Sequence, residues 1–162
     1  MRISEGVEWG LHCLVLLATV PPERALAAAK LAEFHDVPPA YLAKHLQALS
    51  RAGLVDTVPG PRGGYRLARP AAEITVLDVL AAIDGPAPAF SCTEIRRRGP
   101  AGLPDRYYRS VCGVHRAMLR AEEAYRAALR ETTVADLVQS MLTDAAPEGL
   151  RRGAQWLQDA LS

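Results

Sequence analysis

The chain has 162 residues, 49% hydrophobic and 23% charged, the make-up of one globular domain or of one domain with an appended helix, which excludes a disordered polar tail. Its most apolar run, Leu11 to Val20, stops at Pro21-Pro22, short of the roughly 18 to 20 residues a membrane span needs. Glu5 and Glu8 near the start do not suit a secretory signal, so a cytoplasmic protein is expected, and a net charge of +1 neither requires nor forbids nucleic acid.

The first helix is expected over residues 6–20, where Val7, Leu11, Leu14, Val15 and Ala18 recur at spacings of three and four and the double proline ends the pattern. A second is expected over about 25–34, with Leu26, Ala29, Leu31 and Phe34 available for burial. His35-Asp36-Val37 makes a turn, and Pro38-Pro39 opens a third helix, since proline suits a helix start where its missing N–H is not needed. Tyr41, Leu42, His45, Leu46 and Leu49 are expected to face inward, with Gly53 at the C-terminal cap. Helix, short turn, helix is the helix-turn-helix pattern.

A hairpin follows. Leu54 to Val58 alternates with period two, Pro59-Gly60-Pro61-Arg62-Gly63-Gly64 is turn chemistry, and Tyr65-Arg66-Leu67 alternates again. A hairpin placed directly after a helix-turn-helix is a wing. A fourth helix is expected over 74–83, with Thr75 as N-cap and Gly85-Pro86 ending it. Residues 86–111 lack apolar periodicity and read as a long loop of the kind that is usually functional. A long helix over 113–132 places Val114, Met118, Ala121, Tyr125, Ala128 and Leu129 on one side, a face that calls for a second copy, and two shorter helices begin at Thr133 and near Gly149. The fold class is therefore mainly α with a small β-hairpin wing. It divides into a winged helix-turn-helix over 1–85, a loop over 86–112 and dimerisation and C-terminal helices over 113–162.

Within residues 1–70 eight basic side chains stand against six acidic ones, a small excess whose placement matters more than its size. Lys44, Arg51, Arg62, Arg66 and Arg69 all fall on the third helix or the wing, the parts of such a fold that meet the major groove and flanking phosphates. Pro39, Ala40, Lys44 and Gln47 lie off the apolar stripe, so Gln47 is a candidate to read a base edge and Lys44 to hold phosphate or guanine. Arg62, beside Gly63 at the tip of a glycine-rich turn, is a candidate for a narrow minor groove. For each residue the plain alternative is a solvated surface.

Three cysteines are too few and too odd for a disulfide framework in a reducing compartment. Cys13 sits in the apolar run of the first helix and is expected to be buried. Cys92 and Cys112 bracket the arginine-rich loop and suit a soft metal or an iron–sulfur cluster, which needs four ligands and so must recruit others. His115 follows Cys112 at Cys-x-x-His spacing, workable on one metal. His35 lies in the helix-turn-helix turn, His12 and His45 adjoin apolar faces and are expected to be packed, and Glu8 sits beside Trp9 among apolar neighbours. Spacing does not choose among these ligands.

The chain resembles the Rrf-type winged-helix transcriptional regulators, a family that includes iron–sulfur and nitric oxide sensors. The likeness runs over almost the whole length and rests on Met1-Arg2-Ile3-Ser4, Leu31-Ala32-Glu33, Tyr41-Leu42-Ala43-Lys44, Leu49-Ser50-Arg51-Ala52-Gly53-Leu54-Val55, Gly63-Gly64-Tyr65-Arg66-Leu67-Ala68-Arg69-Pro70 and Ile74-Thr75-Val76-Leu77-Asp78-Val79. The family's loop has three cysteines, the last often followed by x-x-His. Here the middle one is missing and the loop is longer, a departure that is similar to the family's redox-sensing branch, as are Val7-Glu8-Trp9, Leu11-His12-Cys13, His35-Asp36-Val37 and Cys92-Thr93-Glu94-Ile95-Arg96. That resemblance implies a [2Fe–2S] cluster at a homodimer interface, with Cys92 and Cys112 from one subunit and Glu8 and His35 from the other, and His115 as the alternative ligand of the general pattern. It also implies binding to double-stranded operator DNA, and Trp9 is a candidate to repack when the charge on the cluster changes.

Three functions follow for comparison. The leading one is a DNA-binding regulator, expected to be a repressor, switched by the redox state or integrity of a cluster. Another is a cluster-free regulator sensing through thiols or a small ligand. The third, a zinc enzyme on Cys92, Cys112 and His115, lacks any HExxH-like motif, so no enzymatic activity is expected.

Overall fold

The computed structural model describes residues 3–162, so the Met1-Arg2 part of the family-like opening lies outside the described residues. Contacts group the described residues into two compact units, one of residues 87–128 and one joining residues 3–86 with 129–162. Among the described residues no helix is long and apolar enough to cross a membrane.

In the larger unit α1 (Glu5–Ala18) packs on α3 (Pro39–Arg51), α4 (Val76–Asp84) and α6 (Val134–Asp144). The close approach needs glycine. A Cβ on Gly6 would stand 2.3 Å from the His45 ring of α3, and one on Gly10 would stand 2.6 Å from Ile83 of α4. Leu42, Leu46 and Leu49 of α3 are fully buried at helical spacing, together with Leu14 of α1, Leu31 of α2 (Ala28–His35), Ile74, Val79 and Val134. Burying each such side chain contributes about 1.5 to 3 kcal/mol.

Asp36 closes α2 in the left-handed conformation, φ 49°. Gly53, φ 69°, closes α3 in the arrangement glycine favours: its N–H donates to Ser50 O (3.0 Å) and the Leu54 N–H to Leu49 O (3.0 Å). The wing pairs β1 (Val55–Val58) with β2 (Gly64–Leu67) antiparallel, Val55 opposite Leu67 and Val58 opposite Gly64. α4 and α6 both begin with a capping box, Thr75 with Asp78 and Thr133 with Asp136, and their starts are tied together by Val76 N–H to Thr132 O (2.9 Å) and Val134 N–H to Ile74 O (2.8 Å). The last helix, α7 (Pro147–Leu161), docks on α2, its Trp156 ring 4.7 Å from Phe34 and its indole N–H donating to Glu33 (3.2 Å).

Several expectations need correction. The second helix starts at Ala28 rather than near 25, because Leu26, buried as expected, instead exchanges two backbone hydrogen bonds with Tyr65 of the wing (3.0 and 2.8 Å), and Ala29 is exposed. Tyr41 does not face inward; it is 65% exposed, since the buried stripe is Leu42, Leu46 and Leu49 and Tyr41 lies a full residue's rotation away. His12, expected to be packed, is exposed on α1, whereas His45 is half-buried over Gly6.

In the smaller unit the chain is irregular apart from two short 3₁₀ turns, Ile95–Arg97 and Asp105–Tyr107, before α5 (Gly113–Glu131) begins. No residue of α5 is buried, and Val114, Met118 and Leu119 are 68%, 42% and 45% exposed.

Candidate nucleic-acid interface and cysteine loop

On α3 the side chains of Ala40, Lys44, Gln47 and Arg51 are exposed and spaced four, three and four apart, so they form one stripe opposite the leucines, with Pro39 at its start. Tyr41 flanks the stripe; the local apolar pattern hid it, and its spacing of three from Lys44 was the available signal. At the wing tip Arg62 is exposed, on a turn closed by Gly63 N–H to Gly60 O (2.9 Å) in which Gly60 has φ 102°. Arg66 lies opposite Asp56 in register, 3.9 Å away, and Arg69 is 4.0 Å from Asp78. Arg66 and Arg69 thus have their charge partly offset, while Lys44, Arg51 and Arg62 have no ion pair among the described residues.

The donors on α1 and α2 are linked through His12. An apolar groove of about 400 Å³ is lined by Val7, Leu11, Val15, Leu80, Leu137 and Met141, with Glu8 and His12 also in its lining. Glu8 and His12 are one helical turn apart and both exposed. The His35 ring is 5.7 Å from that of His12, and its Nε2 is buried with no hydrogen-bond partner. Burial, then the nearby His12, push the His35 pKa below the ordinary histidine range, against a raising contact with the His12 backbone. A neutral imidazole with one nitrogen lacking a proton partner has the chemistry of a metal ligand. Trp9 meets α3, 6.0 Å edge-on from His45, whose pKa is lowered by burial and by Lys44 and raised in part by Asp84.

Cys92 and Cys112 are both half-buried in the smaller unit, and each sulfur accepts a backbone N–H, from Glu94 (3.4 Å) and from His115 (3.3 Å). The second bond places Cys112 at the N-terminus of α5. His115 stands 5.8 Å from the Phe90 ring. Among the described residues no group of three metal-ligating side chains forms within the one chain, so neither the set with His115 nor that with Glu8 and His35 is assembled there. The donor chemistry nevertheless fits an iron–sulfur cluster, with two accessible thiols, an exposed carboxylate and an orphaned imidazole nitrogen.

Residues 3–140 match the Rrf2 family model, described as an iron-dependent transcriptional regulator. Rv1287 of Mycobacterium tuberculosis, whose name places it among HTH-type transcriptional regulators, is 35% identical over 144 residues, 89% of this chain and 85% of that protein. The match to YwgB of Bacillus subtilis, 35% identical over 85 residues, spans 54% of that protein. Among solved structures, CymR, the global cysteine regulator of B. subtilis, superposes with a TM-score of 0.68 at 24% identity over 86% of this chain and 97% of that one. IscR of T. potens does so with 0.67 at 21% identity over 90% and 93%. The fold is that of winged-helix transcription regulators, and the chain belongs to the Rrf2 family. It is a regulator of the helix-turn-helix type, not an enzyme, which sets the zinc-enzyme reading aside.

Proposed function

We propose that the protein is a homodimeric, cytoplasmic repressor that binds double-stranded operator DNA and is switched by the redox state or integrity of a [2Fe–2S] cluster. Residues 1–85 would bind DNA, 86–112 hold the cluster and 113–162 dimerise. The ligands would be Cys92 and Cys112 of one protomer with the partner's Glu8 and the partner's His35. Exposed His12, a turn from Glu8, joins them as a second candidate nitrogen, and His115 stays the alternative.

The observation that carries this reading is the state of the donors: two loop thiols that each accept a backbone N–H, and a His35 Nε2 that is buried with no hydrogen-bond partner among the described residues. When bound, such a cluster supplies a one-electron change of charge, with histidine raising and glutamate moderating its potential. The chain's own part is mechanical. Glu8, Trp9 and His12 ride on α1, and α1 touches α3 through bare Gly6 under His45 and through the Trp9 edge. A shift of α1 therefore reaches the DNA-facing helix with little side-chain slack between them. A difference of about 2.7 kcal/mol between two positions of α3 changes DNA affinity about a hundredfold.

Protein purified without oxygen is expected to be brown, with charge-transfer bands that Cys92→Ala or Cys112→Ala abolishes. Glu8→Ala and His35→Ala are expected to weaken or shift the bands, His115→Ala to leave them, and His12→Ala beside His35→Ala assigns the nitrogen. An operator selected from a random-sequence duplex library should bind oxidised, reduced and apo protein unequally at one salt concentration. A colourless protein whose DNA binding follows oxidation of Cys92 and Cys112 would replace the cluster with a thiol sensor, and equal affinity in all three states would remove the switch.

A further inference from the structure

Residues 87–128 carry eight arginines against four acidic residues; Arg96 and Arg126 each bind a carboxylate and a backbone carbonyl, and Arg96 does so between the two loop cysteines. Its guanidinium donates through Nε and Nη2 to the two carboxylate oxygens of Glu94, the Nη2 contact being 2.9 Å, and Nη2 also donates to the Ser110 carbonyl (3.0 Å). It lies over the Tyr108 ring, 5.1 Å from the centroid, while the Tyr108 hydroxyl donates to the Arg96 carbonyl (2.7 Å) and accepts from Leu103 N–H (2.8 Å). Glu94 and Ser110 are the informative partners. Glu94 follows Cys92 by two residues and gives its N–H to that sulfur; Ser110 precedes Cys112 by two. Glu94 is also held at φ 48°, a left-handed conformation costly for a side chain of its size that persists where surrounding contacts impose it. The hydrogen bond to Glu94 comes first in raising the Arg96 pKa.

We infer that Arg96 is a positioning residue that clasps the two ends of the cysteine loop, pre-forming a two-thiol site for a soft, thiophilic ligand. The inference rests on reading Cys92 and Cys112 as a ligand pair. Closing a loop of this length without such a tie costs chain entropy each time a bidentate ligand binds, and a pre-formed pair raises the effective concentration of the second thiol for a ligand held by the first. Only a planar fork with several donors can hold a carboxylate bidentately and a carbonyl together, so lysine is not equivalent.

The test uses phenylarsine oxide on full-length, reduced, cluster-free protein, with bound arsenic read by intact mass and affinity by competition with a small dithiol. Arsenic takes both sulfurs, the two thiol protons leave with the oxide oxygen as water, and no oxidant is involved. Wild type is expected to take one arsenic per chain, and Cys92→Ala and Cys112→Ala to lose the chelate. Arg96→Ala and Arg96→Lys are each expected to weaken binding about tenfold, with far-UV circular dichroism and thermal midpoint unchanged. Arg97→Ala is the control, since Arg97 also lies over Tyr108, at 5.6 Å, but its ion pair is with Asp105; it should bind like wild type. Wild-type affinity in Arg96→Ala, or full rescue in Arg96→Lys, overturns the clasp, as does a wild type that takes no arsenic. Colour keeps the two readings apart. A brown wild type with arsenic binding independent of Arg96 removes the clasp alone, and a colourless one with Arg96-dependent binding supports the clasp and removes the cluster.

Discussion

Cys13 and the two loop cysteines show how one residue type takes opposite parts in one chain. Cys13 is 0% exposed, and burial pushes its thiol up to about 12, because a thiolate there would have no solvent and no counter-charge. The neutral thiol is thus favoured on folding, and this contribution is present below the ordinary thiol pKa and lost as pH rises towards 12. Iodoacetamide at neutral pH is expected to label Cys92 and Cys112 in native apo protein and to leave Cys13 unlabelled until the chain unfolds, so that its labelling rate follows urea as global stability does. Labelling of Cys13 as fast as the loop cysteines would mean that α1 opens locally. The histidines divide in the same way. His35 and His45 both titrate below the ordinary range because burial disfavours the cation, so their share of stability is full above that range and declines as pH falls through the lowered values.

At the scale of elements, the sequence was most legible where chemistry is local. The prolines opening α3, Gly53 closing it, and Thr75 and Thr133 capping α4 and α6 each act through bonds within a few residues, so pattern and cap agreed. It was least legible where a partner distant in sequence decides. Leu26 has helix-like neighbours yet pairs with Tyr65 some forty residues on, and Tyr41 looks like a core residue until the other leucines of α3 fix which face is inside. Glu8 stood out in the sequence only as a carboxylate beside Trp9, its proposed ligand role came from the resemblance, and the Arg96 hydrogen bonds left no periodic trace at all. The proposed DNA-facing stripe gives a measurable consequence. Lys44→Ala and Arg62→Ala are expected to weaken operator binding and to make its logarithmic salt dependence shallower, by about 0.9 for each phosphate no longer neutralised. Gln47→Ala is expected instead to relax base preference at one position, by about 1 to 3 kcal/mol, with the salt slope unchanged. Tyr41→Phe against Tyr41→Ala separates the role of the hydroxyl from ring packing. Wild-type affinity and slope in the Lys44, Arg62 and Gln47 variants together would move the docking face elsewhere.

For the molecule as a whole, α5 sets the requirement. It spans nineteen residues with none buried, and exposes Val114, Met118 and Leu119, while most of a protein helix's stability comes from packing its apolar face. In a two-fold dimer each side chain on such a face is buried twice. Met118 is 42% exposed, so losing what it buries on both sides should cost about 1 to 2.5 kcal/mol of association, enough to raise the dissociation constant about tenfold, and a glutamate there adds the cost of desolvating its charge. Wild type is expected to sediment as a dimer at micromolar concentration, and Met118→Glu as a monomer whose circular dichroism keeps the helices of the larger unit. Operator affinity should then fall, because two half-sites are no longer read by one particle. The cluster is the sharper readout, since its ligands are proposed to come from both protomers: monomeric Met118→Glu should be colourless with all four ligand residues intact. A brown monomer would show that one chain supplies every ligand, which favours His115 with the two cysteines over the partner's Glu8 and the partner's His35.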